Sequence, residues 1–135
     1  MIELGLKYYE LSLEEKHGIV EKVRRLLEGE EDIIFAYVHG SFVERRFFRD
    51  IDVAIWLRDV TRSFYYVVEF PARANIGISL DVQVLNEAPL PFKYHVFTKG
   101  TLLISGDENL RAKVIDKAIR MYMDLELLVK DGKMP

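Results

Sequence analysis

A chain of 135 residues with no cysteine and a formal net charge of −3 fits a single domain spanning 1–135, with one core burying roughly two-thirds of the unfolded surface. The absent thiols exclude a disulfide framework, a thiolate metal site and a cysteine nucleophile, and they suit a reducing cytoplasm. Half of the residues are hydrophobic, which excludes a disordered chain, and the acidic balance argues against direct nucleic-acid binding.

Met1-Ile2-Glu3-Leu4-Gly5 has neither a basic region nor a long apolar run, so no signal peptide is expected. No stretch approaches the ~20 apolar residues that span a bilayer, so no membrane partner is expected either. Residues 1–11 read as a lead carrying Tyr8 and Tyr9. Ser12-Leu13-Glu14-Glu15 is a capping box that predicts a helix from Leu13. Its apolar stripe is Ile19, Val20, Val23, Leu26 and Leu27, and Gly29 is expected to end it in a left-handed conformation. Asp32 to His39 reads as a strand covered on both faces. After Gly40-Ser41, residues 41–48 read as a short helix, and Asp50 to Leu57 as a second strand. Residues 62–75 read as a helix that Pro71 should kink or split at Phe70. Its aromatics Phe64, Tyr65, Tyr66 and Phe70 are expected in the core.

Ile78 to Leu85 is the third strand. Asn86 to Pro91 reads as a loop in which Asn86 caps a turn. Phe92 to Lys99 reads as a short helix stopped by Gly100, and Thr101 to Ile104 as an edge strand. Ser105-Gly106-Asp107-Glu108 offers a second capping box, with Asp107 an alternative cap. The last helix then runs to about Lys130 on a stripe of Leu110, Val114, Ala118, Met121, Tyr122, Leu125 and Leu128. The fold class is α/β (α+β): a small mixed sheet with flanking helices.

The informative stretch is Ile33 to Leu57, IIFAYVHGSFVERRFFRDIDVAIWL. Strand alternation puts Asp50 and Asp52 on one face and Ile51, Val53, Ile55 and Leu57 on the other. Two adjacent carboxylates repel, and a hard Mg²⁺ would relieve them, since it binds carboxylates together with substrate phosphates. Gly40 lets a backbone approach closely, and Ser41 opening a helix offers donors to an anion. A plain strand-to-helix turn with Ser41 as cap explains the same pair. His39 reads as a structural strand-end residue, His17 and His95 suggest no ligand cluster, and Trp56 shares the Asp face beneath a helix.

Gly-Ser, an arginine-bearing loop and Asp-x-Asp heading an apolar strand resemble the minimal nucleotidyltransferase (MNT) family of the DNA polymerase β-like superfamily. That family includes antitoxins paired with HEPN-domain toxins. Ser79-Leu80-Asp81-Val82-Gln83-Val84-Leu85-Asn86-Glu87-Ala88-Pro89-Leu90 resembles the family's strand with the third acidic residue and its Leu-Asn-x-Ala-Pro. Lys99-Gly100-Thr101-Leu102-Leu103 resembles the Gly-x-x-Leu segment that follows, and Tyr122 and Asp124 also fit. The resemblance covers roughly residues 14–128. Eight residues separate Ser41 from Asp50, a shorter loop than is usual in the family. Phe42-Val43-Glu44 stands where an Arg-Gly is common.

The resemblance implies the nucleotidyltransferase fold, with Asp50 and Asp52 ligating two Mg²⁺ ions. Asp81 would complete the second metal site and help deprotonate the acceptor. Gly40 and Ser41 would hold the phosphates of ATP. Arg45, Arg46 and Arg49 are the candidates for triphosphate contact, and solvated surface positions otherwise. The implied activity is AMP transfer from ATP to a hydroxyl, a tyrosine of a HEPN-type toxin partner. Two other functions stay open: an antitoxin that neutralises by contact with a vestigial site, and transfer to a small hydroxylated molecule. A homo-oligomer also stays open.

Overall fold

The computed structural model describes residues 2–4 and 8–132, with side chains for 8–132. Strands β1 (Ile2–Leu4) and β2 (Tyr8–Glu10) precede helix α1 (Leu13–Glu28). Then come β3 (Ile33–His39), the single turn α2 (Ser41–Glu44), β4 (Phe47–Phe48) and β5 (Ile51–Leu57). A helical passage through α3 (Phe70–Arg73) leads to β6 (Leu80–Val84). Helix α4 (Leu90–Lys99), strand β7 (Thr101–Ser105) and helix α5 (Glu108–Lys130) follow.

The capping box forms as expected. The Glu15 amide donates to Ser12 Oγ and the Ser12 amide to Glu15 Oε1, both at 3.1 Å. The far end differs, because Gly29 takes a right-handed φ of −76°. The chain there stays in tight turns, with Glu30 bonded to Leu27 O and Ile33 to Glu30 O.

Four strands form the central sheet in the order β6-β5-β3-β7. Only β5 and β6 run parallel; β3 pairs antiparallel with β5 and with β7. β7 is at the edge, as expected. All seven residues of β3 are buried, which is what a strand covered on both faces requires. Alternation sorts the side chains. Ala36, Val38, Val53 and Ile55 face α1, through Val23 and Leu27, together with Tyr66 and Phe70. Phe35, Tyr37 and Ala54 face α4 and α5, with Trp56 packed beside them. Trp56 stacks on Phe35 at 5.6 Å. Full burial of each such large side chain contributes about 1.5–3 kcal/mol.

Several expectations change. The predicted helix over 41–48 is one turn only. Beyond it the chain is extended, because Phe48 must reach the core, edge-on to Phe42 at 4.9 Å, while β4 pairs with β2. The lead is therefore structured, in a second sheet ordered β1-β2-β4. The kink or split expected at Phe70 takes the form of a local widening within a continuous helical path. Tyr65–Glu69 form a wide π turn in which the Phe70 amide reaches Tyr65 O, and a widened turn accommodates a proline ring that brings no N–H. Of its aromatics, Tyr66 and Phe70 are buried, whereas Phe64 is 69% exposed.

Asn86 reaches across to β5 in place of the expected turn cap. Its amide side chain pairs with both the N–H and the C=O of Leu57 at 2.9 Å, extending the β5 ladder by one link. Helix α4 begins at Leu90, two residues earlier than expected, because Pro91 suits a first turn. Asp107, not Ser105, caps α5 by accepting from the Leu110 amide. Ala118 is buried on α5, while Met121 and Leu128 of the predicted stripe are exposed. No described helix is long and apolar enough to cross a membrane.

Candidate active site

β3 ends where Gly40 turns the chain. Gly40 has φ 76° and ψ −155°, a region open essentially to glycine. A Cβ built at Gly40 would lie 2.4 Å from Asp52 Oδ2. The position thus demands glycine twice over, by dihedral and by the approach of a carboxylate. The turn after it is closed by Val43 and Glu44 amides on Gly40 O, at 3.0 and 2.9 Å. Lys16 of α1 fastens its other end, donating to Phe42 O at 2.7 Å and Arg45 O at 3.1 Å. Burial pushes the Lys16 ammonium pKa down. Sequence reasoning passed over Lys16, and no local pattern marks a contact made across 26 residues.

Strand pairing places the acidic residues. Asp52 lies opposite His39 on β3 and beside Asp81 on β6. Asp52 is half-buried and Asp81 exposed. Burial pushes the Asp52 carboxyl above the usual range, and the Asp81 charge adds to this. His39 and a hydrogen bond from Gln83 pull the other way. Gln83 Nε2 donates to Asp52 Oδ1 at 3.2 Å, and Gln83 Oε1 meets His39 Nε2 at 2.7 Å. His39 is 6% exposed and also edges onto Phe92 of α4 at 5.4 Å. Gln83 was not singled out in the sequence, although it follows Asp81 by two residues and so shares its face.

The structure thus brings Gly40, Asp52 and Asp81 together. Asp50 falls in the bend just before β5 rather than in the strand. Two of the candidate arginines face other partners. Arg46 pairs with Glu10 of β2 and lies over the Phe47 ring, and Arg49 lies 5.7 Å from the Tyr8 ring. Arg45 is exposed. Among the described residues, no three of His, Cys, Asp and Glu stand assembled as a metal cluster. The donor set still suits Mg²⁺. Two carboxylates held in register repel, and their hard oxygens match a hard cation rather than a soft one.

No curated protein sequence matches this chain. Solved structures do. A chain from the crystal structure of the toxin–antitoxin MntA–HepT superposes with a TM-score of 0.60 at 19% identity, covering 87% of this chain and 99% of that one. A chain from the tri-AMPylated Shewanella oneidensis HEPN toxin in complex with MNT antitoxin gives 0.61 at 19%, covering 88% and 99%. A chain from a toxin–antitoxin structure with AMP-PNP gives 0.61 at 21%, covering 85% and 98%. At such identities the likeness concerns the fold. The sequence itself matches the family model "Polymerase beta, Nucleotidyltransferase" over residues 21–109, the stretch that carries Gly40, Asp52 and Asp81, and the chain belongs to that nucleotidyltransferase family.

Proposed function

We propose that this protein is an MNT-type antitoxin that transfers AMP from ATP to a tyrosine hydroxyl of a HEPN-type toxin. The observation that carries the reading is the Asp52–Asp81 pair in register on parallel strands, one residue layer from the Gly40 turn. Solved relatives of the same fold include an MntA–HepT toxin–antitoxin complex, an MNT antitoxin with a tri-AMPylated HEPN toxin, and a toxin–antitoxin structure with AMP-PNP, which supports both the partner and the nucleotide.

In this reading Gly40 and Ser41 bind the phosphates, and one of Arg45, Arg46 and Arg49 turns to the triphosphate. Asp50, Asp52 and Asp81 are the residues that would hold Mg²⁺. When bound, the metal neutralises charge on the triphosphate and the leaving group. Asp81, the exposed member of the pair, accepts the acceptor hydroxyl's proton. The hydroxyl oxygen bonds to the α-phosphorus, the bond to the bridging oxygen breaks, and pyrophosphate leaves.

A second reading keeps the partner and drops the chemistry: an antitoxin that neutralises by contact alone. The engagement of Arg46 and Arg49 with β2 side chains favours it. Intact-mass spectrometry of a HEPN-type partner incubated with the protein and Mg-ATP separates the two. Transfer adds the mass of one or more AMP groups, and the Asp50→Asn/Asp52→Asn double variant adds none. An unmodified partner, inhibited equally well by wild type and double variant, would establish the contact reading instead.

A further inference from the structure

Asp52 is held by its neighbours with one oxygen assigned to each side. Its Oδ2 lies against the Gly40 turn, where any side chain at position 40 would collide with it. Its Oδ1 accepts from Gln83 Nε2 at 3.2 Å. The same amide nitrogen also reaches Asp81 O at 3.2 Å, so Gln83 is tied to the backbone of its own strand as well. Its oxygen meets His39 Nε2 at 2.7 Å. The orientation of that amide follows from its partners. Turned over, Gln83 would set its oxygen against a carboxylate oxygen, two acceptors with no proton between them. In the orientation seen, His39 Nε2 carries the proton and donates to Gln83 Oε1. The chain of donors therefore runs one way, from buried His39 through Gln83 to Asp52.

The strands make this chain rigid. His39 and Asp52 are direct cross-strand partners, and Gln83 stands opposite Ala54, next in line on the same face. His39 is fixed by burial and by Phe92, so it has no freedom to release Gln83. The arrangement resembles no packing need. An apolar residue at 83 would fill the same half-buried place without a hydrogen-bond demand.

We propose that Gln83, oriented by His39, is a positioning residue that fixes the Asp52 carboxylate so that Oδ2 is presented to a divalent cation at the Gly40 turn. This rests on the nucleotidyltransferase reading of Asp52 given above. Residues that hydrogen-bond a metal-ligating group typically change metal affinity on the order of 10–100-fold when removed.

The test is Mn²⁺ binding to the purified protein, followed by electron paramagnetic resonance of the free ion, with the melting temperature recorded in parallel. Gln83→Leu should weaken Mn²⁺ binding by about tenfold or more. His39→Leu should weaken it as well, whereas His39→Gln, which can still donate to Gln83, should restore most of it. Gln83→Met serves if the leucine variant does not fold. Wild-type affinity in folded Gln83→Leu and Gln83→Met, with only a change in melting temperature, would overturn the positioning role and leave the nucleotidyltransferase reading standing. Wild type that binds no Mn²⁺, alone or with a non-hydrolysable ATP analogue, would overturn both. Equal losses in His39→Gln and His39→Leu would remove His39 from the inference.

Discussion

The two ends of the central sheet do different things. At one end β3 finishes in His39, β5 begins beside Asp52, and β6 begins beside Asp81. At the other end β3 begins at Ile33 opposite Leu57, and a cleft of about 650 Å³ opens there, lined by residues including Leu27, Glu28, Glu30, Ile33, Arg58 and Leu103. That cleft is roomy, but its charged groups sit on a helix end and on loops. The Gly40 end has its polar groups fixed by strand register, by a glycine-only turn and by a directed hydrogen-bond chain. The difference teaches that convergence of functional groups, rather than hollow volume, marks the Gly40 end as the candidate site.

Gly40→Ala should break the comparison most. The backbone strain costs on the order of 1–3 kcal/mol, and the new Cβ displaces Asp52 Oδ2. The variant should also lose the stabilisation that Mg-ATP gives wild type, ~2.7 kcal/mol at a hundredfold excess over Kd. Denaturant unfolding with and without Mg-ATP measures both. A variant retaining the full nucleotide effect would remove the Gly40 turn from the phosphate site.

Asp52→Asn should sharpen it, with a pH signature. Burial raises the Asp52 carboxyl in the folded state, so the native state binds its proton more tightly than the unfolded state does. Stability then falls as pH rises from the ordinary carboxylate range through the raised folded value. Asn cannot ionise, so the variant should be more stable than wild type at neutral pH. The gain should vanish once the pH drops below the ordinary aspartate value of ~3.9. The same variant should lose the Mg-ATP effect. A variant less stable than wild type at neutral pH would mean that the charged carboxylate holds the fold together.

The smallest effect belongs to the opposite end. Arg58→Ala should change stability by less than about 0.5 kcal/mol, as surface substitutions usually do, and leave AMP transfer at the wild-type rate in the intact-mass assay. A large loss of transfer would make the Ile33 end part of the machinery.

How much of this was legible in the chain follows from the range of each interaction. The Ser12 capping box, the apolar run of β3 and the stripe of α1 are local patterns, and each formed where it was read. Asp52 was legible because hydrophobic alternation fixes which residues of a strand share a face, and Asp81 through the family resemblance of the Ser79–Leu90 stretch. The helix read over 41–48 failed because helix-tolerant residues carry only weak preferences there. The burial of Phe48 and the pairing of β4 with β2 outweighed them. The second sheet went unseen for the same reason, since its pairing joins Glu10 to Phe47 across the whole of α1 and β3.

By itself, then, the sequence determined the order of the main helices and strands from α1 onward, β4 apart, and the two-faced burial of β3, and it picked out the acidic residues of the candidate site, because these depend on patterns along one segment. Only the tertiary structure decided that Lys16 fastens the Gly40 turn, that Arg46 and Arg49 lean on β2, and that His39 and Gln83 grip Asp52. Those are contacts between segments far apart in the chain. Side-chain spacing along a strand says which way a residue faces, but strand register alone says what it meets.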